Sequence, residues 1–303
     1  MRQNTVAKAI KQTRDDRVFD TVNYTLVILF GLFVLYPLYI VVVSSVSDPT
    51  AVALGKVVIA PVGFTFEGYE AVFEDRRVFT GFLNSILYTA AGSVLNVACT
   101  MLAGYSLSRK DLFGGGVIMF FFVFTMYFQG GLIPTFVLVR NLGLYGTRMI
   151  MVIMDLVWVY LMIIARTFYR TTVPDELLEA ARIDGCHDAQ FFFRIVLPLS
   201  ASLTAVLLLF YGVGHWNNYF RALIYLRDEK LWPLQLVLRR ILILQQNLAN
   251  DPESAGTISG EFFDRAELVK YALIVVASVP MLVLYPFVQK HFVRGVMIGS
   301  VKG

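Results

Sequence analysis

His187, His215 and His291 stand far apart in the 303-residue chain, with no i, i+4 pairing and no cysteine cluster beside them, so metal chemistry has no ligand set. No nucleophile, base and orienter occur together. No G-x-x-x-x-G-K-[ST] phosphate loop is present either; Gly114-Gly115-Gly116 lacks the following Lys and reads as a tight turn before an apolar run. What remains is recognition chemistry. Asp155 lies within an apolar stretch, where an ionisable group is costly and either faces a bundle interior or aqueous cavity, bonds a neighbouring helix, or sits just inside the interface. Tyr127, Gln129, Tyr160, Trp216 and Asn217 add aromatic faces with amide or hydroxyl groups. Such a set suits stacking on sugar rings, although each Trp or Tyr taken singly fits an aromatic belt at a membrane surface better. Arg227, Lys230, Arg239 and Arg240 form a basic cluster that fits an acidic saccharide, an acidic partner or a solvated face.

The polar stretch from Thr171 to Pro198 is the most punctuated part of the chain. Pro174 suits an early helical position after a Thr172 cap, Asp175 and Glu176 complement the positive end of the helix dipole, and Gly185 suits a left-handed stop. This spacing predicts a helix from Pro174 to Asp184, about three turns long. Leu177, Leu178, Ala181 and Ile183 fall on one broad side, with Glu179 and Arg182 elsewhere, so the helix is amphipathic and too short to span a bilayer.

The elements that must carry these residues follow from composition. Of the residues, 57% are apolar and 16% charged, with a mean hydropathy of +0.66, against roughly a quarter charged in a soluble domain. Six apolar runs approach the roughly 20 residues a spanning helix needs: Tyr24–Val43, Phe82–Leu107, Val117–Val139, Met149–Phe168, Ile195–Val213 and Tyr271–Val288. They are continuously apolar, which excludes the alternating strands of a membrane barrel. The expected class is an all-α integral membrane protein with six transmembrane helices. With the amino terminus inside, 14 of the 26 Lys and Arg fall in the shorter inside segments, which places both termini in the cytoplasm. The first run is too long for a signal-peptide core and no small-x-small site closes it, so it reads as an uncleaved span. Cys99 and Cys186 differ too much in depth for a disulfide. No basic stripe interleaved with aromatics points to nucleic acid. The organisation expected is a cytoplasmic segment 1–20, a transmembrane domain 21–290 with a cytoplasmic loop 169–194, and a tail 291–303. Outside, Ser44–Gly81 reads as turns around short apolar pieces, and Asn247–Gly260 as an exposed loop.

Glu179-Ala180-Ala181, three residues, Gly185, nine residues, then Ile195-x-Leu197-Pro198 resembles in full the EAA loop of the membrane subunits of ATP-binding-cassette importers. Ala103–Lys110, Gly130–Pro134, Asn141–Leu144, Ala165–Phe168, Trp216-Asn217 and Phe292–Gly303 extend the resemblance to carbohydrate permeases of the maltose-permease type, within the branch of complex-oligosaccharide and alginate-type systems. The resemblance implies a type I importer permease fold in the bacterial cytoplasmic membrane. Glu179, Ala180, Ala181, Asp184, Gly185, Ile195, Leu197 and Pro198 would then couple to an ATPase, and Arg294, Gly295 and Ser300 of the tail would touch the ATPases. Its implied partners are a homologous second permease, two cytoplasmic ATPases that hold ATP and Mg, an extracytoplasmic solute-binding protein and membrane lipid. The chain itself would bind no cofactor and catalyse nothing. The competing classes are an ion-coupled secondary transporter, which wants paired ionisable groups and an inverted repeat, a structural subunit without a pathway, and an importer permease for a non-sugar solute.

Overall fold

The computed structural model describes residues 13–250 and 269–286, with side chains to 243 in the first stretch. Every regular element among the described residues is helical. The chain begins with α1 (Arg14–Ser44), whose start is fixed by a capping box: Thr13 Oγ1 accepts from Asp16 N–H, and Asp16 Oδ2 accepts from Thr13 N–H. Two short helices, α2 (Pro49–Ala53) and α3 (Glu67–Glu74), fill the expected turn region, and α4 (Arg76–Ser108) follows. At 33 residues α4 is the axis of the bundle, about 50 Å long at 1.5 Å per residue. Then come α5 (Gly115–Tyr127), α6 (Leu132–Asn141), α7 (Met149–Ile153), α8 (Val159–Thr172), α9 (Asp175–Ile183) and α10 (Asp188–Phe191). A π-helical turn Phe192–Val196 leads into α11 (Leu197–Leu199) and α12 (Ala201–Trp216). The last elements are α13 (Tyr219–Tyr225), a 3-10 turn Glu229–Leu231, α14 (Leu234–Asn250) and α15 (Val269–Pro286).

Three helices, α1, α4 and α15, are each long and apolar enough to cross a membrane. The count rises to five when two bent pairs are each taken as one span. The third run bends by 115° between α5 and α6, where Gly131 takes φ 86°, a conformation glycine adopts without steric cost. The fifth bends by 80° ahead of Ala201. Pro198 offers no N–H to the Arg194 carbonyl, and the turn before it widens to π geometry. The fourth run, read from hydropathy as one helix, is two: α7 ends at Ile153 and α8 starts at Val159. Asp155 between them is the one non-glycine residue at positive φ among the described residues, at 57°. At the other end of the chain, Asn247–Asn250 of the expected loop are the last turn of α14; residues 251–260 lie outside the described residues.

α4 packs against α8 and α12 through small residues. A Cβ added to Gly104 would come within 2.7 Å of Ala165 Cβ, and one added to Gly92 within 2.4 Å of the His215 ring. Close backbone approach at small residues is how helices associate without a hydrophobic drive between them. Thr100 and Tyr211 share a 2.6 Å hydrogen bond across the α4–α12 seam, and Arg166 Nε donates to Leu107 O at 2.9 Å. Thus the segments Ala103–Lys110 and Ala165–Phe168, far apart in the sequence, lie against each other. By contrast α1 is exposed along nearly all its length, with only Val43 and Ser44 buried.

Candidate coupling site

α8 ends at Thr172 and the chain turns through Val173 and Pro174. The expected start is shifted: Pro174, at φ −68° and ψ 150°, stands just before the helix, and Thr172 is the last residue of α8 rather than a cap. α9 therefore runs from Asp175 to Ile183, with Asp175 and Glu176 in its first turn. Its other end closes as the sequence indicates. Gly185 takes φ 77°; Gly185 N–H donates to Arg182 O at 3.0 Å and Cys186 N–H to Ala181 O at 2.9 Å. This pair of bonds is a Schellman stop.

Leu178 and Ala181 are buried against Tyr169, Val173, Phe191, Phe192 and Val196. The opposite face carries Glu176, Glu179, Ala180 and Ile183 into the open. Ile183, expected on the packed side, is 87% exposed, because the helix is short and its last turn overhangs the bundle. Ala180 and Ala181 thus face different ways, and Asp184 is exposed at the C-cap. Glu179 makes no ion pair or hydrogen bond among the described residues and stands free on the outer face. Ile195 and Leu197 pack partly on the same core as Leu178, whereas Pro198 is exposed.

Ion pairs bolt α9 to the turn after α4. Lys110 Nζ lies 2.8 Å from Asp175 Oδ2 at one end of the helix, and Arg182 Nη2 lies 3.2 Å from Asp111 Oδ2 at the other. Arg182 also reaches Asp188 at 3.3 Å, and Arg109 contacts both Asp111 and Asp175. The hydrogen bond from Lys110, reinforced by its charge, holds the Asp175 carboxyl below the usual carboxylate range. Hydrogen bonds to Asp111 and Asp188 raise Arg182. Single exposed pairs contribute little, but several in one network define an orientation. Beside them a cavity of about 470 Å³ opens between the ends of α4 and α8 and the start of α9, lined by Tyr105, Arg109, Lys110, Arg170 and Glu176. The sequence signal for this clamp, Arg109-Lys110-Asp111, is legible only as a charged turn.

A prediction follows from Gly185. A Cβ there meets nothing within 4 Å, so substitution is opposed only by the positive φ. Gly185→Ala is expected to cost about 1–2 kcal/mol, and Gly185→Val more, since a β-branched residue at positive φ is an outlier. The melting temperature of the detergent-solubilised chain should fall in the order Gly, Ala, Val. Equal stability for all three would show that the stop is dispensable.

The remaining candidates do not form one site. Trp216 is a core residue: it is buried, its Nε1 donates to Ala277 O at 2.9 Å, and its ring meets Phe82 edge-on. Asn217 is exposed and bonds back to Val213 O at 3.0 Å. Tyr127, Gln129 and Tyr160 are exposed, and Arg294, Gly295 and Ser300 lie outside the described residues. Three members of the basic cluster are already engaged: Arg227 lies over Tyr145, Arg239 over Tyr219, and Arg240 over Trp232 while pairing with Glu229. Of the candidate path residues, Asp155 alone gains a partner of opposite charge, Arg221, at 2.8 Å. Sequence reasoning missed Arg221; its only mark is that it is the single charge within Tyr219–Tyr225.

Bent and broken apolar spans around a long central helix, with a short amphipathic helix clamped at one end, define a helical membrane protein. Residues 96–298 match the family model of the binding-protein-dependent transport system inner membrane component, and the chain belongs to that family. It is 37% identical over 288 residues to the polygalacturonan/rhamnogalacturonan transport system permease protein YtcP of Bacillus subtilis (strain 168), covering 95% of this chain and 99% of that one. It is 35% identical over 291 residues to Protein LplC of the same organism, covering 96% and 97%. Among solved structures it is similar to a chain in the crystal structure of a bacterial ABC transporter involved in the import of the acidic polysaccharide alginate, with a TM-score of 0.84 and 33% identity over 93% of this chain and 99% of that one. The fold is that of an ABC importer permease, a transport subunit of the inner membrane.

Proposed function

We propose that this chain is one of two permease subunits of an importer that carries an oligosaccharide across the bacterial cytoplasmic membrane by ATP-driven alternating access. The carbohydrate assignment is supported by the polygalacturonan/rhamnogalacturonan permease it resembles in sequence, and an acidic saccharide is favoured by the alginate transporter it resembles in structure. Six crossings, with the fourth made of α7 and α8, put both termini, the 109–111 turn and α9 in the cytoplasm. The domain limits follow: a cytoplasmic segment 1–20, the transmembrane domain 21–290 with the coupling loop 169–194, and a cytoplasmic tail 291–303.

The observation that carries the reading is the outer face of α9. Glu179 is unpaired and exposed there, while the ion-pair clamp and the buried Leu178 and Ala181 tie the helix to α4, α8 and the segment entering α12. A push on that face by a closing ATPase would travel into the bundle through packed contacts. Glu179 and Ala180 would meet the ATPase directly; Ala181, Ile195 and Leu197 would pass the displacement inward, while Asp184, Gly185 and Pro198 set the path of the chain. Arg294, Gly295 and Ser300 of the tail would reach the ATPases. ATP and Mg would act at those partners, since the chain has no phosphate loop. An extracytoplasmic binding protein would deliver the solute, and of the candidate path residues Tyr127, Gln129, Asp155, Tyr160 and Asn217 are exposed enough to meet it.

Reconstitution tests this. The chain alone should hydrolyse no ATP. Joined to a second permease, two ATPases and the cognate binding protein in proteoliposomes, it should support solute uptake that needs ATP and survives collapse of the proton gradient. A chain ending at Val293 should assemble but change the rate or coupling of hydrolysis. Uptake driven by the proton gradient without ATP would overturn the importer reading.

A further inference from the structure

α7 ends inside an apolar run, which leaves carbonyls with no intrahelical donor where hydrocarbon supplies none. Arg221 of α13 supplies them. Its Nη1 donates to Met154 O at 3.2 Å and to Met151 O at 3.4 Å, and its Nη2 donates to Asp155 Oδ2 at 2.8 Å. Asn96 of α4 donates to Asp155 O at 3.1 Å. One guanidinium therefore caps a helix end and pairs the residue that breaks the span. The two partners differ in exposure: the Arg221 side chain is 10% exposed and that of Asp155 55%.

A carboxyl group that exposed, in the membrane domain, does not face lipid; it faces an aqueous cavity or another polar surface. Its second oxygen has no donor among the described residues. The surroundings are polar too. Ser93 Oγ and Asn96 Oδ1, on one face of α4, and Tyr225 OH, one turn beyond Arg221, are buried without a partner among the described residues. Buried polar atoms of this kind are satisfied by ordered water. We propose that the break in the fourth span opens onto the aqueous solute path, where Asp155 offers a carboxylate oxygen to solute hydroxyl groups and Arg221 is the positioning residue that pins it. The location rests on the importer reading. Because the pair is neutral, it accepts hydroxyls without repelling a charged sugar, and removing Asp155 uncovers a buried cation.

Thiol labelling tests this without knowing the solute. Cys99 and Cys186 are the only cysteines, so a chain with both changed to Ala and carrying Asp155→Cys reports on one position. In the assembled transporter, anionic and cationic methanethiosulfonates should both react, the anionic one about tenfold faster, as expected for steering by one uncovered cation. Adding Arg221→Gln should erase the preference, and Arg221→Lys should keep it. Asp155→Asn, whose amide oxygen can still accept from Arg221, should raise the KM for uptake severalfold at unchanged membrane level. Absence of labelling, a ratio near one in the presence of Arg221, or an unchanged KM would overturn the proposal. Failure of the importer reading would appear instead as loss of ATP-dependent uptake in the unmodified complex.

Discussion

Glu179→Lys should reduce solute uptake to background in the reconstituted transporter while the chain inserts at the normal level. Glu179 is exposed and unpaired on the outer face of α9, so its own bundle loses nothing when the charge reverses. The loss would arise at the contact with the ATPase. On the proposed coupling the carboxylate meets a basic surface of the ATPase; an ammonium in its place would face like charge, and like charges brought together at an interface cost several kcal/mol. A cost of about 3 kcal/mol weakens coupling roughly a hundredfold at 1.4 kcal/mol per tenfold. Glu179→Gln, which removes attraction without adding repulsion, should fall between. Uptake and basal ATP hydrolysis measured on the same proteoliposomes would separate uncoupling from misfolding. Normal uptake by the Lys variant would remove Glu179 from the coupling surface.

The second large effect is expected at Gly104, where α4 touches α8. An added Cβ would lie 2.7 Å from Ala165 Cβ and 3.2 Å from Arg166 N. The second contact is backbone and cannot swing aside. Overpacking of this kind costs about 1–3 kcal/mol and occasionally more, and Gly104→Val adds two further methyl groups at the point of closest approach. Separation there would also stretch the bond from Arg166 Nε to Leu107 O. The detergent-solubilised Val variant should lose several degrees of thermal stability or fail to accumulate. Gly104→Ala should do less, and Ala165→Gly in the same chain should recover part of the loss by removing the 2.7 Å contact. A Val variant as stable as the parent would mean that the helices are free to move apart.

Much of α9 was legible because its determinants are local. Asp175 and Glu176 fall in the first turn, where they complement the positive end of the helix dipole, and the Schellman stop falls at Gly185 as its residue type requires; the bond from Lys110 to Asp175 across 65 positions was not legible. Which face of that helix packs inward was only half legible. Leu178 and Ala181 are buried as the apolar pattern indicates, but Ile183 is not, since burial at a helix end depends on how far the neighbouring bundle extends. Trp216 shows the same gap: an indole beside an amide reads as a recognition surface, yet its ring and N–H are consumed by Phe82 and Ala277.

What the sequence by itself determined is the helical membrane class, the apolar segments and the punctuation of α9, since each depends on side-chain transfer energies or backbone preferences summed over neighbouring positions. Tertiary structure alone decided the path of those segments: the 115° and 80° bends, the break at Asp155, and the pairing of Asp155 with Arg221 across 66 positions. Hydropathy adds residues within a window and carries no direction, so a bent or broken span scores like a straight one. Where the chain breaks at membrane depth, the freed polar groups must find donors from elsewhere in the molecule, and only the packing of α4 and α13 against the break supplies Asn96 and Arg221 at bonding distance.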